Sequence, residues 1–167
     1  LSTNEFEMLT EGDIQVLDAL SSGIPLIKNQ RLEFGLSLSV DKSKGVTNIP
    51  AAVINIGGLP FEIDGAVKPD SLWFNVKSKE IQLTDAVEKL ALKGSKETLN
   101  KFQGKGLLDF ELQIFGGTAS SAPVNINCIF AIKDGQLREP NENIKLSNIQ
   151  LKGHYLKTDK NPEELVL

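Results

Sequence analysis

The stretch RLEFGLSLSV, residues 31–40, places Leu32, Phe34, Leu36, Leu38 and Val40 on every second position. Successive side chains of a strand point to opposite faces, so these five share one face. Glu33, Gly35, Ser37 and Ser39 share the other. The same period returns in 51–67, where Ala52, Ile54 and Ile56 alternate and Leu59, Phe61 and Ile63 resume. Gly57-Gly58 interrupts the run and predicts a bulge or sharp bend, because glycine enters dihedrals that other residues avoid. Leu72, Phe74 and Val76 predict a further strand after a turn at Lys68-Pro69-Asp70.

The period then changes. Within 82–103, Leu83, Val87, Leu90 and Ala91 recur at three and four, which predicts a helix over 84–92. Thr84 is its expected N-cap, with Asp85 in the first turn where the helix dipole favours a carboxylate. Gly94 reads as a stop and Ser95 as a fresh cap, with Leu99 and Phe102 on one side of a second short helix. The apolar stripe of 84–92 reads as core packing that covers an open sheet end, since an interfacial helix wants more basic residues and a wider apolar face.

Strands resume with Leu108, Phe110, Leu112 and Ile114 up to a turn at Gly116-Gly117. Pro123 opens the run Val124, Ile126, Cys128, Phe130, Ile132. Asp134-Gly135 reads as a hairpin or tight turn. Ile144, Leu146, Ile149 and Leu151 read as a last strand broken near Asn148. In the first thirty residues only Asp13–Leu17 and Pro25–Ile27 read as short strands. Thr158 to Glu164 reads as a loose tail leading into Leu165-Val166-Leu167.

Strands, a helical pair near 84–103, then strands: this order fits antiparallel strands joined by short turns better than βαβ units. The expected fold is mainly β, a twisted and curved antiparallel sheet with one apolar face. At 167 residues, 40% hydrophobic and 24% charged, the chain is one ordinary domain, residues 1–167, with enough apolar content for a core. Beginning at Leu1, it reads as a fragment of a longer protein. Net charge is −4, and the 18 basic residues are spread along the chain. Nucleic-acid binding, which leans on concentrated positive charge, is not expected.

Residues for catalysis are scarce. His154 is the one histidine and Cys128 the one cysteine. Zinc needs several such ligands, so no metal is expected. A Ser-His-Asp or Cys-His arrangement would have to use His154, which reads as a strand-end residue. Cys128 sits in an alternating apolar run and reads as a small buried hydrophobe. Gly104-Lys105-Gly106 is too short for a phosphate loop and follows a helix instead of preceding one. No cofactor and no enzymatic activity are expected. Trp73 lies on the opposite parity from Phe74, on a half-exposed face or packed under the helices. It is the candidate for a protein or ligand contact.

The segments SLWFNVKSKEIQLTDAVEKL, GKGLLDFELQIFGG, SAPVNINCIFAIKDGQL and NIKLSNIQLKGHY resemble, in that order, the AsmA-like family of cell-envelope proteins related to the TamB group, and its Bacteroidetes members most. Upstream, NIGGLPFEIDGAVKPDSLWFNV is similar to the family's strand–turn–strand pattern. The likeness covers about two-thirds of the chain and lies in pattern and order, with no catalytic motif to carry over. It implies a periplasmic, β-rich, non-catalytic body, anchored to the inner membrane by a helix outside this chain and involved in outer-membrane biogenesis. It further implies an apolar groove that shields lipid acyl chains, with phospholipid or another lipid, and envelope proteins, as partners. The candidate lining is Phe34, Leu36, Leu38, Ile54, Ile56, Leu72, Phe74, Val76, Phe110, Leu112, Ile114, Val124, Ile126, Phe130 and Ile132. Residue by residue, the plainer reading is core: the dry interior of a closed sandwich, or the face packed on helix 84–92, in a structural or protein-interaction domain with no lipid site.

Overall fold

The structure, a computed structural model, describes residues 4–21, 24–90, 104–119, 122–139, 143–159 and 164–166. Nine strands form one sheet in chain order: β1 (Glu5–Ser21), β2 (Ile24–Asp41), β3 (Val46–Ile56), β4 (Leu59–Val67), β5 (Ser71–Gln82), β6 (Lys105–Gly117), β7 (Val124–Glu139), β8 (Ile144–Lys157) and β9 (Glu164–Val166). Each pairs antiparallel with its sequence neighbours. The fold is the mainly β, antiparallel sheet that the period-two pattern requires.

Turn chemistry accounts for the hairpins. Gly57 (φ 59°) and Gly58 (φ 79°) form the two-residue link between β3 and β4. Two successive left-handed residues match the twist of the flanking strands, so the expected bend is a full reversal. Between β2 and β3, Asp41 accepts hydrogen bonds from the backbone N–H and the hydroxyl of Ser43, at 2.9 and 2.6 Å. It also accepts from Lys44 N–H at 3.1 Å and the Lys44 ammonium at 2.7 Å. These donors hold its carboxyl well below the usual range, the lysine first.

Several sequence expectations change. The short strands at Asp13–Leu17 and Pro25–Ile27 are parts of 17- and 18-residue strands. Thr10 and Gly12 sit on the apolar face of β1 and hide its alternation. Asp134-Gly135 is no hairpin: β7 continues through it, with Asp134 at φ 50° and the register shifting on either side of Gly135. The dihedrals that suit a turn also suit a bulge. Of the expected tail Thr158–Glu164, Glu164 belongs to β9, which pairs through Val166 with His154–Leu156 of β8. The expected break at Asn148 stands, with φ 58° and a register shift beside it.

One helix, α1 (Leu83–Leu90), follows β5 directly. It begins a residue before Thr84, which therefore lies in the first turn and is not the cap. Asp85 occupies that turn as expected, and Lys89 the last. The second helix expected beyond Gly94 falls outside the described residues. α1 meets β2 on one side and β5 and β6 on the other, although β3 and β4 lie between them in the sheet. The sheet is therefore concave around the helix. Bulges at Lys79–Glu80, at Asp134 and beside Asn148 all fall at this end of their strands, where an extra residue bends the ladder.

The core lies under α1. Ile54, Leu59, Phe61, Ile81 and Ala86 are buried, and Phe34, Leu36, Ile56, Ile63, Val76, Leu108 and Phe110 pack against them. The Phe61 and Phe110 rings meet tilted, with centroids 5.6 Å apart, an arrangement worth about 0.5–1.5 kcal/mol beyond area burial.

Candidate functional site

Register assigns the faces. Phe34 stands opposite Ile54, which stands opposite Phe61. Ile63, Val76, Leu112, Cys128 and Tyr155 form a second row, and Phe74, Ile114, Ile126 and Lys157 a third. Leu72 faces Gly116, which faces Val124. Ser78, Phe110, Phe130 and Gly153 align next to these, and then Ile81, Leu108, Ile132 and Leu151. All fifteen candidate lining residues thus share one face, the concave one on which α1 sits.

Coverage of that face is uneven. Phe61, under α1, is 2% exposed. At the far end Leu72, Phe74, Ile114 and Ile126 are only half-buried, and Val124 is 45% exposed. Among the described residues no large side chain is fully buried. No second sheet lies over the first among the described residues, so the closed sandwich that was one reading of the pattern is not what forms. Among the described residues, α1 is what lies over this apolar face.

A device in this face went unread in the sequence. Three phenylalanines lie over glycines directly opposite on the next strand: Phe34 over Gly12, Phe74 over Gly65 and Phe130 over Gly153. A Cβ built on Gly12 would sit 3.2 Å from the Phe34 ring, and one on Gly65 2.6 Å from that of Phe74. A Cβ on Gly153 would run into the Phe130 ring. Each ring takes the space its glycine leaves, which shields both backbone and ring. A glycine inside a strand pattern signals such an approach, and all three glycines sit inside strands.

The opposite face is polar at its centre. Asn75 donates to Asp64 at 3.2 Å, Gln113 to Glu111 at 3.3 Å and Asn127 to Gln113 at 3.0 Å. His154 Nε2 donates to Asn127 Oδ1 at 2.6 Å, so the histidine is exposed in a surface ladder and away from the apolar face. Trp73 also faces out, 43% exposed, directly across from Phe115 at 41%. It is not packed under α1. Cys128 is half-buried on the apolar face, and desolvation pushes its thiol up, away from reactivity. Among the described residues no three His, Cys, Asp or Glu side chains are grouped as metal ligands.

At the edge of the α1 end, Asp109 holds the β5 bulge. Its carboxylate accepts from Glu80 N–H at 2.7 Å, with Glu80 at φ 55°, and pairs with Lys133 at 2.5 Å. The Lys133 ammonium, then the Glu80 amide, hold Asp109 below its ordinary value. A cleft of about 180 Å³ opens between β4 and β5, lined by Val53, Phe61, Glu62 and Lys77 among others. It falls short of the roughly 300 Å³ where ordinary ligand pockets begin. Comparison with family models, with curated proteins and with solved structures finds no match to this chain.

Proposed function

We propose that this chain is a non-catalytic, lipid-handling module of an AsmA-like cell-envelope protein, working in the periplasm in outer-membrane biogenesis. On this reading the membrane anchor belongs to another part of the protein; no helix among the described residues is long and apolar enough to cross a membrane. The observation that supports the reading is the single-layer sheet whose apolar residues share one concave face, with α1 over one end and, among the described residues, no element over the other. The resemblance in segment order supplies the setting.

Magnitudes say what such a face can do. An acyl chain lying on an open surface has about half its area covered. Some twelve methylenes at about 0.8 kcal/mol each, half covered, give about 5 kcal/mol. Association costs are subtracted from that figure, so binding is weak enough for a chain to move on. Shielding in transit suits this face better than tight storage.

Native mass spectrometry of the purified chain, with lipid extraction, tests the reading. Phe74→Asp and Ile126→Asp are the informative variants because both side chains lie at the bare end. Phe110 is not, because it packs on Phe61. Co-purifying phospholipid that both variants lose while keeping their circular dichroism supports the proposal. Absence of lipid, with no uptake of a fluorescent phospholipid, removes it. The exposed Trp73–Phe115 pair favours a second reading, a protein-interaction domain, which would then stand first.

A further inference from the structure

The polar face of the sheet carries an aromatic pair beside a row of amides. Trp73 and Phe115 stand directly across from each other in the middle of the sheet, on β5 and β6. Both rings are exposed. The next row on this face holds Asp64, Asn75, Gln113 and Asn127, on four successive strands. No register shift interrupts either row, so both lie on regular pleated backbone.

The surroundings of the rings are fixed. Thr118 ties the turn after β6 to the turn before β5, its hydroxyl donating to the Pro69 carbonyl at 2.6 Å and its N–H to that of Asp70 at 3.3 Å. Asn125, across from Phe115 on β7, donates to the Phe115 carbonyl at 3.2 Å and accepts from the Asp159 N–H at 3.1 Å. Its amide is thus held to the backbone beside the ring. Ala66, across from Trp73 on β4, is small and leaves the indole room to lie along the sheet. Groups ordered beforehand lose little freedom on binding.

What surrounds the rings selects among occupants. The pair also underlies the protein-interaction reading above, but the core of a protein interface is a broader apolar patch. Here the next exposed apolar side chains on this face, Val53 and Ile129, lie beyond the amide row. Nucleic acid is disfavoured, because the one charged side chain in the two rows is the Asp64 carboxylate. A pyranose meets both features. Its C–H face is apolar, and its rim carries hydroxyls that donate and accept. Amide side chains do both as well, and each amide nitrogen has two N–H groups. The bonds along the row take one from each of Asn75, Gln113 and Asn127.

We propose that Trp73 and Phe115 are a stacking platform for a glycan of equatorially linked pyranoses, whose hydroxyls bind the row Asp64, Asn75, Gln113 and Asn127. Two rings side by side on neighbouring strands suit a flat ribbon of sugars, which β-1,4 linkage gives. An α-1,4 linkage turns successive sugars out of plane. The platform lies on the face opposite the apolar one and stands or falls without the lipid reading.

Trp73 is the chain's one tryptophan, so intrinsic fluorescence reports this site alone. The probes are chitotetraose and cellotetraose, both β-1,4-linked, titrated into the whole chain with α-1,4-linked maltotetraose as the control. A saturable fluorescence change with a β-1,4 probe is expected, with amide chemical shifts moving around Trp73, Phe115 and the amide row. Phe115→Ala keeps the reporter and weakens binding at least about fivefold, and Gln113→Ala weakens it too, both with unchanged circular dichroism. If Phe115→Ala loses its fold, the shift map of the parent chain decides. The proposal is overturned by no saturable change with either β-1,4 probe, by equal affinity for maltotetraose, or by shifts that fall on the apolar face. Full binding by a folded Phe115→Ala overturns it as well. Self-association of the chain that Phe115→Ala abolishes and the sugars leave intact would give the pair to a protein partner instead.

Discussion

Two ends of one apolar face differ in what covers them. Under α1, Phe61, Ile54 and Ile81 are buried and the rings of Phe61 and Phe110 meet. Across the same sheet Phe74, Ile126 and Val124 have comparable side chains on the same face and no covering element among the described residues. The alternation that writes both ends is identical. The difference is one eight-residue helix. A sheet face becomes core where something is laid on it, and at the other end the same kind of residue is only half-buried.

The comparison breaks most sharply by truncation. Phe61→Ala is expected to destabilise by about 3–5 kcal/mol, because it leaves a cavity in the covered end. Phe74→Ala should cost about 1 kcal/mol, since a half-exposed ring has less burial to lose. Urea melts of both variants check this, and equal losses would mean that the far end is covered too. Next comes Gly153→Ala. Its methyl would run into the Phe130 ring, and overpacking of this kind costs about 1–3 kcal/mol. The double variant Gly153→Ala/Phe130→Ala should lose less than the sum of the two single losses, which a double-mutant cycle measures.

Smaller effects separate the ends electrostatically. Asp109 fastens the bulge at the α1 end, and Asp109→Asn should lower stability by about 0.5–1 kcal/mol, since the pair with Lys133 is partly exposed. Asp41 and Asp109 are both held below their ordinary values. Their contribution is therefore full above the unfolded carboxylate pKa of about 3.9 and is lost as pH falls through the lowered folded values. Thermal melts from pH 7 downward should show this loss below about pH 4, shallower in Asp109→Asn. A variant curve parallel to that of the parent would remove Asp109 from the account.

How much of this was legible depends on range. Most strands beyond residue 30 were readable, β9 excepted, because a buried or half-buried face imposes period two on each strand. The parity of Trp73 against Phe74 was readable for the same reason. The length of β1 was not, because Gly12 interrupts its apolar face, and its reason for being glycine is the Phe34 ring on another strand. Asp134-Gly135 misled because its local dihedrals suit a turn and a bulge alike, and only the partner strand decides. His154 and Cys128 were readable as scarce, but their separation onto opposite faces came from register.

By itself, then, the sequence determined most of the elements beyond residue 30 and the parity of their side chains, since those follow from backbone geometry repeated every two residues. Tertiary structure alone decided that nine strands form one layer in place of two and that α1 covers only one end. It also decided which phenylalanine shields which glycine. These depend on pairings between residues far apart in the chain, whose energies no local pattern encodes.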